Sequence, residues 1–160
     1  MWFDEFKTPI GMLKVAVDET CLRYVLFESN KHEPVHVINW KKDRSVTQVA
    51  REQILQYFAG ERKKFELEIS LAGTEFQQRT WQMLANIPYA ETWSYADLAK
   101  RVNSPKAVRA VGAANGRNPL PIVLPCHRVI GSNGALTGFG GGLPIKQWLL
   151  EHERRLDLTH

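Results

Sequence analysis

The chain has no apolar run approaching the ~18–20 residues that a membrane helix needs, because charged side chains interrupt every hydrophobic stretch. No membrane partner is expected. A secretory pattern is missing at the amino terminus, where Asp4, Glu5 and Lys7 break up the first residues, and a cytoplasmic protein is expected. Cysteine is scarce: Cys21 and Cys126 are the only two in 160 residues and lie far apart, which argues against a disulfide scaffold and for a reducing compartment. There is no internal repeat and no low-complexity tract, so a solenoid or a linker protein is not indicated. Acidic residues thin out in the second half. Residues 1–71 carry 11 Lys+Arg against 11 Asp+Glu, whereas residues 72–160 carry 10 against 6, so the whole net charge of +4 resides there. Between Thr92 and Arg128 six basic residues face a single acid, Asp97, the footprint expected of a surface that displaces counterions from a phosphate backbone.

The texture of the chain also changes near residue 72. Phe3 to Phe6, Gly11 to Val17 and Leu22 to Glu28 are short, rich in aromatic and β-branched residues and separated by turn residues, which predicts an antiparallel meander. Ser45 is placed to cap a helix carrying Val46, Val49, Ala50, Ile54 and Phe58, ended by Gly60. Phe65 to Leu71 reads as an extended link. From Gly73 onward the pattern is helical. Thr74 with Gln77 forms a capping box for a helix that stops at Pro88, with Trp81 in the core. Ser94 with Asp97 repeats the box, and Ser104 followed by Pro105 predicts the start of the next helix after a tight connection at Asn103. Two short helices so joined read as a helix-turn-helix. The second places Ala107, Ala110 and Ala114, with Gly112, on a smooth exposed face and Val108 and Val111 inward, while Arg109 is the one long cation among them. The fold class is α+β, with two domains expected at 1–71 and 72–160.

The segment Pro125-Cys126-His127-Arg128-Val129 carries the chemistry. A thiol is a strong nucleophile only as thiolate, and an adjacent imidazole and guanidinium are the groups that favour that form. Arg109-Ala-Val-Gly112, Asn115-Gly116, Asn118-Pro119, Ile122-Val-Leu-Pro-Cys-His-Arg-Val129, Gly141-Gly142-Leu143, Trp148-Leu149-Leu150 and Glu153 stand in order with it, preceded by Gly73-Thr-Glu-Phe76, Ile87-Pro-Tyr89 and Ser94-Tyr95. This set resembles the O6-alkylguanine-DNA alkyltransferase family over about Gly73 to Glu153; the first seventy residues resemble it only in pattern.

The resemblance implies a ribonuclease H-like amino-terminal domain, a winged-helix-like carboxy-terminal domain, and repair of O6-alkylguanine in double-stranded DNA by stoichiometric, irreversible transfer of the alkyl group to Cys126. In such proteins DNA is entered through the minor groove and the damaged base is rotated out of the stack, which its poor pairing makes cheaper. The resemblance assigns His127 and Glu153 to a relay that takes the thiol proton through a water, Tyr95 to the phosphate and guanine N3 beside the flipped nucleotide, and Asn118 to tying the helix-turn-helix to the active-site loop. Arg109 is implied to occupy the space the base vacates. Ser94, Ala107, Ala110, Gly112, Ala114 and Arg128 are expected at the DNA surface. Pro121, Val129, Phe139 and Gly140 are expected to wall the base pocket, with Phe139 covering the base without the hydroxyl a tyrosine would offer.

Several expectations are negative. Cys21, His32 and His36 do not make the zinc set that some relatives carry in the amino-terminal domain, and no cofactor is expected. No fused sensor region is present, so a stand-alone, monomeric repair form is expected. Ala90 stands where glycine is usual after Pro-Tyr, and His152 reads as a solvated neighbour of Glu153. Two rival functions remain: a lesion-binding module without transfer, and a cysteine hydrolase, which would require an oxyanion site. Activity on O4-alkylthymine is left open.

Overall fold

The structure, a computed structural model, describes residues 1–28 and 39–159, with no side-chain detail at 158 and 159. Strands β1 (Trp2–Thr8), β2 (Gly11–Val17) and β3 (Leu22–Phe27) form the expected meander, and a short β4 (Lys41–Lys42) adds in parallel to β1, giving the order β3-β2-β1-β4. The β1–β2 turn is closed by the Thr8 hydroxyl, which donates to the Gly11 carbonyl at 2.6 Å, and Gly11 adopts φ +103°, a conformation open to glycine. Alternation along β1 turns Phe6 and Asp4 inward. A buried carboxylate needs a partner, and Asp4 accepts a hydrogen bond from Arg51 Nη1 at 2.9 Å, which fastens the sheet to helix α1 (Gln48–Phe58).

Helix α1 begins later than expected. Thr47, not Ser45, precedes its first turn, and no side chain caps it; the Ser45 hydroxyl instead donates to Asp43 Oδ1 at 2.6 Å inside a local turn. Val46 and Val49 are exposed, so the inward face is Ala50, Ile54, Tyr57 and Phe58. Ala50, Ile54 and Phe58 of the expected face are buried, and Tyr57, fully buried, joins them in place of Val46 and Val49. Gly60 ends the helix at φ +78°. The extended link then runs beside β3, where Leu22 N–H donates to Glu68 O and Ser70 N–H to Leu22 O.

Helix α2 (Glu75–Leu84) carries both hydrogen bonds of the Thr74–Gln77 box, and Trp81 is core, its Nε1 donating to the Ala114 carbonyl at 2.7 Å. Helix α3 (Tyr95–Arg101) carries the Ser94–Asp97 box. Asn103 makes the tight connection in the left-handed region at φ +59°. Helix α4 (Val108–Gly116) starts three residues later than Pro105 predicts, since Ser104 and Pro105 lie in a turn closed by Ala107 N–H to Ser104 O, and no side chain caps the helix. A two-stranded parallel pair, β5 (Trp93–Ser94) with β6 (Val129–Ile130), joins the entry of the helix-turn-helix to the residues just after Cys126. Helix α5 (Leu143–Thr159) closes the chain, and no helix among the described residues is long and apolar enough to cross a membrane. One continuous apolar cluster runs from Leu13, Val25 and Ile54 through Leu84 and Leu98 to Leu120 and Leu149, so sheet and helices share a core.

Candidate active site

The segment that presents the cysteine is shaped by two asparagines from the end of α4. Asn118 Nδ2 donates to Leu124 O at 2.8 Å while its Oδ1 accepts from Leu120 N–H, and Asn115 Nδ2 donates to Cys126 O at 3.3 Å. Between them Ile122 is forced to φ +74°, an outlier for a β-branched residue that only an over-determined loop sustains. Asn118, just past α4, is thus bonded to the loop that leads to Cys126.

Cys126 opens a single 3-10 turn (Cys126–Arg128) and is buried with both of its neighbours. Burial pushes its thiol up to about 11, against the opposing pull of the Asn118 hydrogen bond and the Lys146 charge. The resting site thus holds a protonated thiol, not the standing thiolate that its basic neighbours would predict. His127 Nε2 meets Glu153 Oε2 at 2.6 Å, with both side chains fully buried. Arg128 Nε donates to Glu153 Oε1 at 2.8 Å and Nη2 to Oε2 at 3.1 Å, while Nη1 donates to Ile87 O. Burial works to raise the Glu153 pKa, but His127 and the Arg128 guanidinium outweigh it and hold the carboxyl well below its usual range. Burial lowers the His127 pKa, and Arg128 and Lys146 add to that, against the attraction of Glu153. A neutral imidazole facing an acceptor-only carboxylate must carry its proton on Nε2, which leaves Nδ1 as the basic atom; Nδ1 has no hydrogen-bond partner among the described residues.

Two expectations about this cluster change. Arg128 is buried and spent on Glu153 and Ile87, so it is not a DNA-surface residue. His152 is also buried rather than solvated, stacked on Trp148 at 4.7 Å with Nε2 at 3.0 Å from Tyr57 O. Sequence reasoning missed two further participants: Tyr57, whose hydroxyl donates to Glu153 Oε2 at 2.6 Å, and Lys146 of α5, whose ammonium donates to Val129 O at 2.6 Å and Thr137 O at 2.8 Å. A lysine inside the apolar face of α5 was the available signal for the second. Ala90, in the left-handed region at φ +65°, aims its N–H at Glu153 Oε1 at 3.2 Å.

Tyr95, at the start of α3, donates to Thr137 O at 2.8 Å, with Lys146 Nζ 3.5 Å from its hydroxyl. Burial raises its pKa, and proximity to Cys126 adds to the effect. A cavity of about 130 Å³ is lined by Cys126, Asn118, Pro121, Phe139 and Gly140, and by Tyr24 and Phe27 of β3. Val129 does not line it; its side chain is core and its carbonyl is held by Lys146. Phe139 is buried, its ring 5.3 Å from that of Phe27, and a Cβ at Gly141 would stand 2.7 Å from the same ring.

On the outer face of α4, Arg109 and Ala110 are exposed and Ala107 and Gly112 half-buried; Arg109 has no hydrogen bond or ion pair among the described residues. Ala114 is buried with its carbonyl taken by Trp81, and Val108, expected inside, is exposed; the smooth face is Ala107, Ala110 and Ala113. Ser94 is half-buried, and its hydroxyl is occupied by the Asp97 N–H. No group of three or more metal-type side chains gathers among the described residues, and His32 and His36 lie outside them.

Comparison with known proteins places this geometry. The chain is 46% identical over 153 residues to a methylated-DNA–protein-cysteine methyltransferase of Methanosarcina acetivorans, covering 96% of this chain and 98% of the relative. It is 47% identical over 154 residues to a protein of the same name from Mycolicibacterium paratuberculosis, covering 94% and 93%. The crystal structure of Mycobacterium tuberculosis OGT in complex with DNA superposes with a TM-score of 0.93 at 43% identity, over 99% of this chain and 98% of that one. Sequence models of the 6-O-methylguanine DNA methyltransferase match here in two parts, its ribonuclease-like domain at residues 3–71 and its DNA binding domain at residues 75–155, and the chain therefore belongs to the 6-O-methylguanine DNA methyltransferase family.

Proposed function

We propose that this protein repairs O6-alkylguanine in duplex DNA by moving the alkyl group, directly and once, to Cys126 Sγ. The observation that carries this reading is the buried 2.6 Å contact of Glu153 with His127 Nε2, which leaves a basic Nδ1 on the residue that follows a thiol kept protonated by burial. As Sγ attacks the alkyl carbon, the S–H proton passes to Nδ1 through one intervening water, the S–C bond forms and the C–O6 bond breaks. The electron pair stays on the purine, and the Tyr95 hydroxyl, which donates to Thr137 O in the free protein, turns from that carbonyl to donate to N3. Glu153, kept anionic by Arg128, stabilises the imidazolium. The product is a thioether that no group here hydrolyses, so each molecule acts once.

Two further roles belong to the same reading. Arg109, without an ion pair among the described residues on the smooth outer face of α4, fills the stack when the base leaves it for the Cys126 cavity, which Pro121, Phe139 and Gly140 wall. Residues 72–160 supply the acceptor and DNA-facing helix, and residues 1–71 support them. Since acceptor, relay and α4 come from one chain, a monomer suffices, and a reducing cytoplasm suits the free thiol.

Mass spectrometry after incubation with O6-methylguanine DNA tests the proposal. One methyl group on the Cys126 peptide is expected, with no more than one lesion repaired per molecule. Retained binding without an adduct would instead support a lesion-binding module, and turnover of an ester would support a hydrolase.

A further inference from the structure

Tyr57 lies in the last turn of α1, far from the acceptor in sequence, yet its hydroxyl donates to Glu153 Oε2 at 2.6 Å, the oxygen that also meets His127 Nε2 at 2.6 Å. Its side chain is fully buried. The ring is fixed by Phe58 at 5.3 Å, Phe65 at 5.8 Å and His152 at 5.3 Å. Arg128 Nη2 is the third donor to Oε2, so that atom has little capacity left. Burial and the nearby carboxylate keep the phenol protonated, and toward Glu153 it can only donate.

We propose that Tyr57 is a positioning residue of the alkyl-transfer site, fixing Glu153 Oε2 and setting how tightly that carboxylate holds the proton of His127. The amino-terminal half of the chain would then contribute a functional group to the relay as well as packing. The inference rests on the relay described above. Each donor to Oε2 draws off part of its negative charge. Without the Tyr57 hydroxyl more of that charge falls on His127, the imidazolium is favoured, and the bare Nδ1 needed to accept the thiol proton disappears at a higher pH. The other ionisable groups around the pair are Arg128 and Lys146, which oppose the imidazolium, Tyr89 beside Glu153, Cys126 next in the chain, and His152 against the Tyr57 ring. Tyr57→Phe removes none of these groups.

Tyr57→Phe keeps the ring and removes the hydroxyl. Single-turnover transfer from free O6-benzylguanine is then measured across about pH 5 to 9, the range in which a histidine titrates. The acidic limb is expected to move to higher pH, with a several-fold loss near about pH 6 and less than about a twofold change near about pH 8.5. Tyr57→3-fluorotyrosine, a stronger donor that preserves both ring and hydroxyl, should move the limb the opposite way, and it decides the question if Tyr57→Phe does not fold. NMR titration of the His127 ring nitrogens in the same proteins should show shifts of the same signs, and needs no transfer at all. Wild-type protein that fails to take up the benzyl group would count against the functional reading, while the ring titration would still judge Tyr57. An acidic limb and a His127 titration that do not move, or a loss equal at every pH, would make Tyr57 a packing residue and overturn the proposal.

Discussion

Arg128 and Glu153 form a buried two-pronged pair, Nε to Oε1 at 2.8 Å and Nη2 to Oε2 at 3.1 Å, directly behind the residue that follows the acceptor cysteine. Removing either partner leaves the other charge buried. Arg128→Ala should therefore destabilise the fold by about 3–5 kcal/mol, as expected when one partner of a buried pair is lost. Its effect on the salt dependence of DNA binding should be nil. Denaturant melts and binding titrations at several salt concentrations check both, and a flattened salt slope in the variant would return Arg128 to the DNA surface.

The same pair fixes a pH dependence. Glu153 ionises far more readily in the folded protein than its ordinary value of 4.5, so it contributes stability above that value and loses the contribution as pH falls below it. Wild-type protein should lose stability steadily from about pH 4.5 downward. Glu153→Gln should start less stable at neutral pH and show a shallower acid slope in the same chemical melts.

Cys126 governs the alkaline side. Its thiol is pushed up to about 11 in the fold from an ordinary value of 9.0, so its share of stability is present below pH 9.0 and lost as pH rises through about 11. The two values bound that share at roughly 2–3 kcal/mol. Cys126→Ala should remove that share of the alkaline dependence while keeping the fold, leaving the part due to Lys146, Tyr57 and Tyr95. In the wild type, iodoacetamide should react slowly at neutral pH and accelerate toward pH 11.

Arg109 and Lys106 separate insertion from docking. Lys106→Ala should weaken binding to every duplex and lower the log–log salt slope by roughly one unit. Arg109→Ala should depress transfer from duplex DNA much more than transfer from free O6-benzylguanine, which needs no base extrusion. Equal losses on both substrates would assign Arg109 to the fold or pocket.

Ala90 holds a left-handed conformation at φ +65° while its N–H reaches Glu153. Ala90→Gly relieves strain of about 1–2 kcal/mol, against a backbone-entropy cost of roughly 0.5–1 kcal/mol. A small net stabilisation is expected, with transfer unchanged, and thermal melts measure it.

Sequence legibility followed the locality of each signal. The meander, both capping boxes, the Trp81 core position and the tight turn at Asn103 depend on neighbouring residues, and they were readable. The helices near Ser45 and Ser104 start later than those residues suggest, because a serine hydroxyl or a proline ring favours a first turn without compelling one: the Ser45 hydroxyl bonds Asp43, and the Ser104 carbonyl accepts the Ala107 N–H in a turn ahead of the helix. The acceptor segment was legible because its motif is contiguous. Partners that arrive from distant elements were not: no local pattern sends Arg128 inward, brings Tyr57 across 96 positions to Glu153, or marks Val129 as core instead of pocket wall.

The ring of Phe139 rests on Phe27, and a Cβ at Gly141 would stand 2.7 Å from the Phe27 ring. Seating of Phe139 over the acceptor cavity and packing of β3 therefore share one aromatic contact, worth about 0.5–1.5 kcal/mol beyond the area it buries. A substitution at Phe27, in the sheet and not in the acceptor segment, is expected to change how firmly Phe139 sits over that cavity.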